Sequence, residues 1–146
     1  MQIWARGEGG FGGNAGPEVV AGVPDRAPDK VLTSSTSPSQ ALVYRLSGDM
    51  NPLHADPSFA KMAGFDAPIL HGLASYGIVC KAVVDGILDG DPTRVKNYSV
   101  RFAGSLVPGE SITTSVWQDG NTLTLAATCP ERENSPVLTH ATMEIN

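Results

Sequence analysis

Apolar positions along the chain follow two different rhythms. From about residue 95 onward they alternate with polar ones. Val95 to Ala103 places Tyr98, Val100 and Phe102 on one face. Ile112 to Trp117, Leu123 to Thr128 and Val137 to Ile145 read as three further strands. Asp119-Gly120 marks a hairpin between the first two of these. Leu106-Val107-Pro108-Gly109-Glu110 reads as a turn. Upstream the spacing is helical. The longest candidate runs from Gly72 to Leu88, where Leu73, Tyr76, Val79, Cys80, Val83, Val84 and Ile87 form a broad apolar face. Ala74 and Gly77 are its small contacts, and Gly86, Gly90 and Pro92 end it. A helix apolar over most of its circumference is a buried one, wrapped by a sheet.

The earlier elements are shorter. Val31 to Thr36 is a β-branched strand. Ser37-Pro38-Ser39-Gln40 reads as a helix start, with Ser37 as N-cap, Pro38 in first position and Gln40 closing a capping box. Ala41, Leu42, Tyr44 and Leu46 give this helix its apolar face, and Ser47-Gly48 ends it. Asp56-Pro57 caps a second short helix through Phe59, Ala60 and Met62, stopped by Gly64. Asp66 to Leu70 is extended. The order predicts an α+β domain: one strand, short helices, a long buried helix, then an antiparallel meander of four strands curled around it.

That domain spans residues 31–146. Residues 1–30 read as a Gly/Pro-rich linker or N-terminal extension, because glycine and proline both work against persistent helix or strand. Gly7-Glu8-Gly9-Gly10-Phe11-Gly12 matches a G-x-G-x-x-G pattern. Gly13, Gly16 and Pro17 follow it where a dinucleotide site needs a helix, and no P-loop lysine is present, so it reads as linker. A long linker ahead of the first element implies an upstream domain or a partner chain.

Composition narrows the function. The chain has 146 residues, 41% hydrophobic and 17% charged, which suits one globular domain with a real core. A net charge of -5 and only ten scattered Lys and Arg argue against a nucleic-acid partner. No apolar run approaches the roughly 18–20 residues of a membrane span. Met1 to Arg6 lacks the order of a signal peptide, and Glu144-Ile145-Asn146 is no peroxisomal address. Cys80 and Cys129 fit neither a disulfide framework nor a zinc site, so a reducing cytoplasm is the expected location.

The chemistry concentrates in one loop. Tyr44 to Pro57 carries Asp49, Asn51 and His54 around the stiffening residue Pro52. A carboxylate and an imidazole held toward one point can grip a water and exchange protons with it near neutral pH. Asn51 offers an amide to orient substrate or histidine. Each residue alone is a common turn-former or surface residue; together in a rigid loop they read as a site. Asp49, His54, Asp56 and His71 are possible metal ligands, but H-x-D alone is a weak pattern and no metal is expected. Ser47 and Ser75 lie in no nucleophile elbow. Gly72 opens the long helix, where unpaired N–H groups and the helix dipole favour a developing oxyanion. It equally suits close packing of helix against sheet.

Tyr44 to Pro57, with Ala60, resembles the hydratase 2 motif of the MaoC-like (R)-specific enoyl-CoA hydratases. Leu70-His71-Gly72-Leu73 and Val100-Arg101-Phe102 leading to Val107-Pro108-Gly109-Glu110 resemble the same family. The resemblance covers about residues 31–146 and implies the hot-dog fold, an antiparallel sheet wrapped around a long helix. Residues 6–13 resemble the linker between the repeats of double hot-dog members. By position, Asp49 and His54 match the pair that holds the attacking water. Asn51 matches the supporting amide, and Gly72 the backbone donor to the thioester oxygen. Ser75, Tyr76, Phe102 and His71 fall on the acyl side. The resemblance implies hydration of a trans-2-enoyl-CoA, or of an acyl-carrier thioester, to the (R)-3-hydroxyacyl thioester, or the reverse. No cofactor is implied, coenzyme A being part of the substrate. It also implies pairing, as a homodimer or with another hot-dog chain.

Two other functions compete. A hot-dog thioesterase would use a carboxylate on the long helix, where Asp85 is the one available. A non-catalytic acyl-binding subunit would bind without turnover.

Overall fold

The computed structural model describes residues 22–146, together with Gly9, Gly10 and Gly12. Most of the expected linker over residues 1–30, including its glycine pattern, lies outside the described residues. Gly22 to Asp29 carries neither helix nor strand. Its end is tied to the sheet: Trp117 Nε1–H donates to the Arg26 carbonyl at 2.8 Å, and the Asp29 N–H donates to Val116 O at 2.8 Å.

Five strands form one antiparallel sheet: β1 (Lys30–Ser35), β2 (Val95–Phe102), β3 (Ser111–Asp119), β4 (Thr122–Cys129) and β5 (Ser135–Ile145). Three helices precede β2: α1 (Gln40–Tyr44), α2 (Pro57–Met62) and α3 (Gly72–Ile87). The hairpin falls where expected. Asp119 pairs with Thr122, leaving Gly120-Asn121 as a two-residue loop. Gly120 takes φ +56°, as a glycine does in the first central position of a type II′ turn.

The strand order is β1-β3-β4-β5-β2, which corrects the expected four-strand meander. Only β3, β4 and β5 run as neighbours in sequence. β2 lies beyond β5, and β1 closes the other edge on β3. Residues 103–110 are therefore a crossover and not a tight turn. Leu70 N–H donates to Leu106 O at 2.6 Å and Thr36 N–H to Glu110 O at 3.2 Å, pinning the crossover to two upstream segments. The Glu110 carboxylate accepts from Val107 N at 2.6 Å and from Arg132 Nε at 2.8 Å.

The core is the inner face of the sheet against α3, with Val79, Val83 and Val84 packed over Ile112, Leu123 and Met143. The sheet covers α3 on one side only. Leu73 is 54% exposed and Gly77 is also exposed, so the expected wrapped helix is half open. The helix also runs through Gly86, which was expected to end it. There a Cβ would meet Leu32 Cδ2 at 2.7 Å, so this glycine lets β1 cross the helix closely.

Two local details bear on the site. Ser37 does not cap α1: its hydroxyl accepts from Ser39 N at 3.2 Å, and the helix begins at Gln40 without a side-chain cap. Asp56 does cap α2, accepting from Ser58 N at 2.8 Å. Further on, β5 carries an extra residue against both neighbours. Leu125 pairs with Ala141 but Ala127 with Leu138, and Ser99 pairs with Thr142 but Arg101 with Thr139. His140 sits in this bulge at φ +46°, and such bulges bend a strand and raise its twist.

Candidate active site

The loop from Gly48 to Ala55 is built by local bonds. Gly48 reverses the chain at φ +112°, directly after a 3-10 turn at Arg45–Ser47. The Asp49 carboxylate accepts from Asn51 N at 3.2 Å. The Asn51 side chain accepts from Leu53 N at 3.0 Å, capping a second 3-10 turn, Pro52–His54. Asn51 thus orients the histidine through the backbone.

His54 is only 9% exposed, which removes the reading of it as a surface residue. Its Nδ1–H donates to the Ile69 carbonyl at 2.7 Å. A carbonyl only accepts, so a proton is on Nδ1, and in the neutral ring Nε2 is then the acceptor. Ligand atoms of Asp49, His54 and His71 lie within 4.8 Å of one another, a span that one water can bridge. Asp56, the other candidate ligand, spends its carboxylate on the α2 cap. The His54 and His71 rings are stacked, with centroids 3.7 Å and planes 27° apart. Imidazole lone pairs lie in the ring plane, so near-parallel stacked rings do not aim at one ion. The arrangement suits a held water better than a metal.

An open groove of about 620 Å³ lies alongside, lined by Asp49, His71, Gly72, Leu73, Tyr76, Tyr98, Ser99, Val100 and Phe102. His54 is not on its wall; it is stacked against His71, which is. Of the acyl-side residues read from sequence, His71, Tyr76 and Phe102 line the groove. Ser75 does not and is buried. Of the residues missed, Leu73 was flagged in the sequence only as part of the helical apolar face, Tyr98 and Val100 only as part of an alternating strand face, and Ser99 not at all. Tyr76 and Tyr98 stack with centroids 4.3 Å apart, and Tyr76 OH donates to Tyr98 O at 3.1 Å. The Tyr98 hydroxyl is buried without a partner among the described residues, and burial pushes its pKa well up.

Gly72 opens α3 at the groove. Its N–H finds no acceptor among the described residues, so it is free to meet a ligand oxygen. A Cβ there would lie 3.2 Å from the Phe102 ring, so the packing role of this glycine is real as well. Asp85 sits at the far end of α3, paired with Lys81 on the surface. It is remote from the groove, which leaves the thioesterase reading without its carboxylate. Among the described residues no helix is long and apolar enough to cross a membrane.

Residues 19–135 match the family model described as MaoC like domain. The chain belongs to the MaoC-like family. This MaoC-like chain is 54% identical over 136 residues to the enoyl-CoA hydratase ChsH3 of Mycobacterium tuberculosis, covering 93% of itself and 48% of that protein. It is 45% identical over 128 residues to the peroxisomal enoyl-CoA hydratase 2 of Arabidopsis thaliana, covering 81% of itself and 41% of that protein. Among solved structures, the MaoC-like dehydratase from Phytophthora capsici superposes with a TM-score of 0.89 at 40% identity, over 97% of this chain and 50% of that one. The fold is the hot-dog arrangement of that family. The MaoC-like chain spans about half the length of the curated relatives just named.

Proposed function

We propose that the chain hydrates trans-2-enoyl-CoA to (R)-3-hydroxyacyl-CoA, and catalyses the reverse dehydration. The carrying observation is the convergence of the Asp49 carboxylate and the His54 ring on one point beside an apolar groove. The names of the relatives, enoyl-CoA hydratase and hydratase 2, support the substrate class.

The groove holds the enoyl thioester with its carbonyl oxygen at the Gly72 N–H. Polarising that oxygen makes C3 electrophilic. A water donates its protons toward Asp49 and the free Nε2 of His54. Its oxygen bonds to C3, one O–H bond breaks, and the proton passes to one member of the pair. The π electrons move to C2 and the thioester oxygen. The newly protonated member returns a proton to C2, and the pair is restored. Side chains and water supply the chemistry, and no cofactor enters.

A second hot-dog unit, from another copy of the chain or a different one, covers the open side of the groove in this proposal. Support comes from Leu73 and Phe102, which line the groove and are exposed, and from the exposed Leu42, Leu46 and Met50 in and just before the site loop.

Loss of ultraviolet absorbance as crotonyl-CoA is hydrated gives the test. Asp49→Asn and His54→Gln are each expected to lower kcat by at least about a hundredfold, the usual scale for general acid–base catalysis, with melting little changed. Near-normal rates in both variants would refute the mechanism. Release of free thiol from acyl-CoA would turn the reading to a thioesterase.

A further inference from the structure

One buried titratable side chain at the site has no work in the scheme above. His71 is 2% exposed and stands at the N-cap position of α3 without capping it. Its Nε2–H donates to the Asp49 backbone carbonyl at 3.2 Å. Its Nδ1 is buried and has no partner among the described residues. Buried polar atoms are nearly always paired, so an orphan of this kind calls for a reason.

The two histidines are cross-bonded. His54, in the loop, donates to the carbonyl of Ile69, just before α3. His71, at the start of α3, donates back to the carbonyl of Asp49, in the loop. The two rings stack between these bonds. The other anchors of Asp49 and Asn51 are local to the loop.

We propose that His71 is a positioning residue that fixes the backbone of Asp49 and the ring plane of His54 together, and so sets the distance across which the water is held. This rests on the hydratase reading. The orphan nitrogen then has a purpose. Protonating His71 would place an N–H in a dry site and a second cation against His54. Burial holds the His71 pKa below the ordinary histidine value, helped by His54 and Arg45 and opposed by Asp49; Tyr44 packs its ring against it at 4.6 Å.

Two variants separate the two jobs. His71→Phe keeps a ring on His54 and removes the donor to Asp49. His71→Gln keeps a donor of similar reach and removes the ring. With crotonyl-CoA and the full chain, His71→Phe is expected to lose about tenfold or more in kcat with KM changed less than about twofold. A residue that only contacts substrate would raise KM instead. The chain has three histidines, so nitrogen NMR of the imidazoles is tractable and needs no turnover. In the wild type, His54 is expected to carry a proton on Nδ1, as its bond to the Ile69 carbonyl requires. His71 is expected as the Nε2–H tautomer, because Nε2 donates to the Asp49 carbonyl. In His71→Gln, His54 is expected to lose its single tautomer. Wild-type kcat in His71→Phe, a loss carried by KM, or a His71 protonated on Nδ1 instead of Nε2 would overturn the proposal. A wild type that does not hydrate crotonyl-CoA would refute the hydratase reading alone, and the imidazole spectra would still decide whether His71 holds the two groups.

Discussion

At the scale of single residues, the loop derives its geometry from side chains that bond to backbone only a few positions away. Asn51 is the clearest case. Its carbonyl oxygen accepts from Leu53 N, and His54 is the last residue of the turn so capped. Asn51→Ala is expected to cost about 1 kcal/mol, as loss of a helix cap does, and to lower kcat because His54 is released. Asn51→Asp keeps the acceptor and should retain most of the stability. Chemical denaturation of both variants beside their crotonyl-CoA rates checks this; equal rates in Asn51→Ala and wild type would sink it. Asp49, Asn51 and His54 were legible in the sequence because their chemistry sits within six consecutive positions. The bond from His71 to Asp49 was not, because it joins residues 22 apart, and only the fold brings them together.

Among the elements, similar signals had different outcomes. Ser37-Pro38 and Asp56-Pro57 both read as helix starts. Asp56 caps its helix, while Ser37 bonds within its own turn and delays the next one. The strands themselves were legible from alternation, but their order was not, because alternation says which face is buried and not which strand lies alongside. That order depends on the crossover, and the crossover on Glu110. Burial pushes the Glu110 carboxyl up, but the Arg132 guanidinium and the Val107 N–H outweigh it and hold its pKa below the ordinary carboxylate value. A carboxyl held low stabilises the fold above its unfolded pKa, and that contribution fades as acid protonates it. Glu110→Gln is expected to cost about 2 kcal/mol at pH 7, typical of hydrogen bonds to a charged group. The gap from wild type should close as the pH falls below 4.5, the ordinary value for this carboxyl. Urea midpoints of both proteins at pH 7 and pH 3.5 test this; a gap of equal size at both would refute it.

For the molecule as a whole, the apolar pattern of α3 said more than one sheet delivers. The sequence pointed to a helix wrapped on most sides, and the sheet covers one. The face of α3 away from the sheet is the open one, and Leu46, a large apolar side chain in the turn that leads into the site loop, is 83% exposed. If a second hot-dog unit covers that side, the wild-type chain has at least twice the monomer mass by native mass measurement, and Leu46→Asp shifts it toward the monomer. A wild type that stays monomeric at working concentration would remove the pairing. The bulge at His140 acts at this scale too. Before it, Val137 and Leu138 are both buried, and after it burial falls on Ala141, Met143 and Ile145. One residue in a left-handed turn resets the phase of the longest strand while both neighbouring strands stay paired to it. A chain shorter by that one residue would place Ala141 two positions after Leu138, keep Ala141, Met143 and Ile145 on the same inner face, and lose the bulge itself. It would also pull straight the edge that brings Tyr98, Val100 and Phe102 over the mouth of α3. Substitution at this position is therefore a matter of local strain, and deletion is a matter of how far the strand bends.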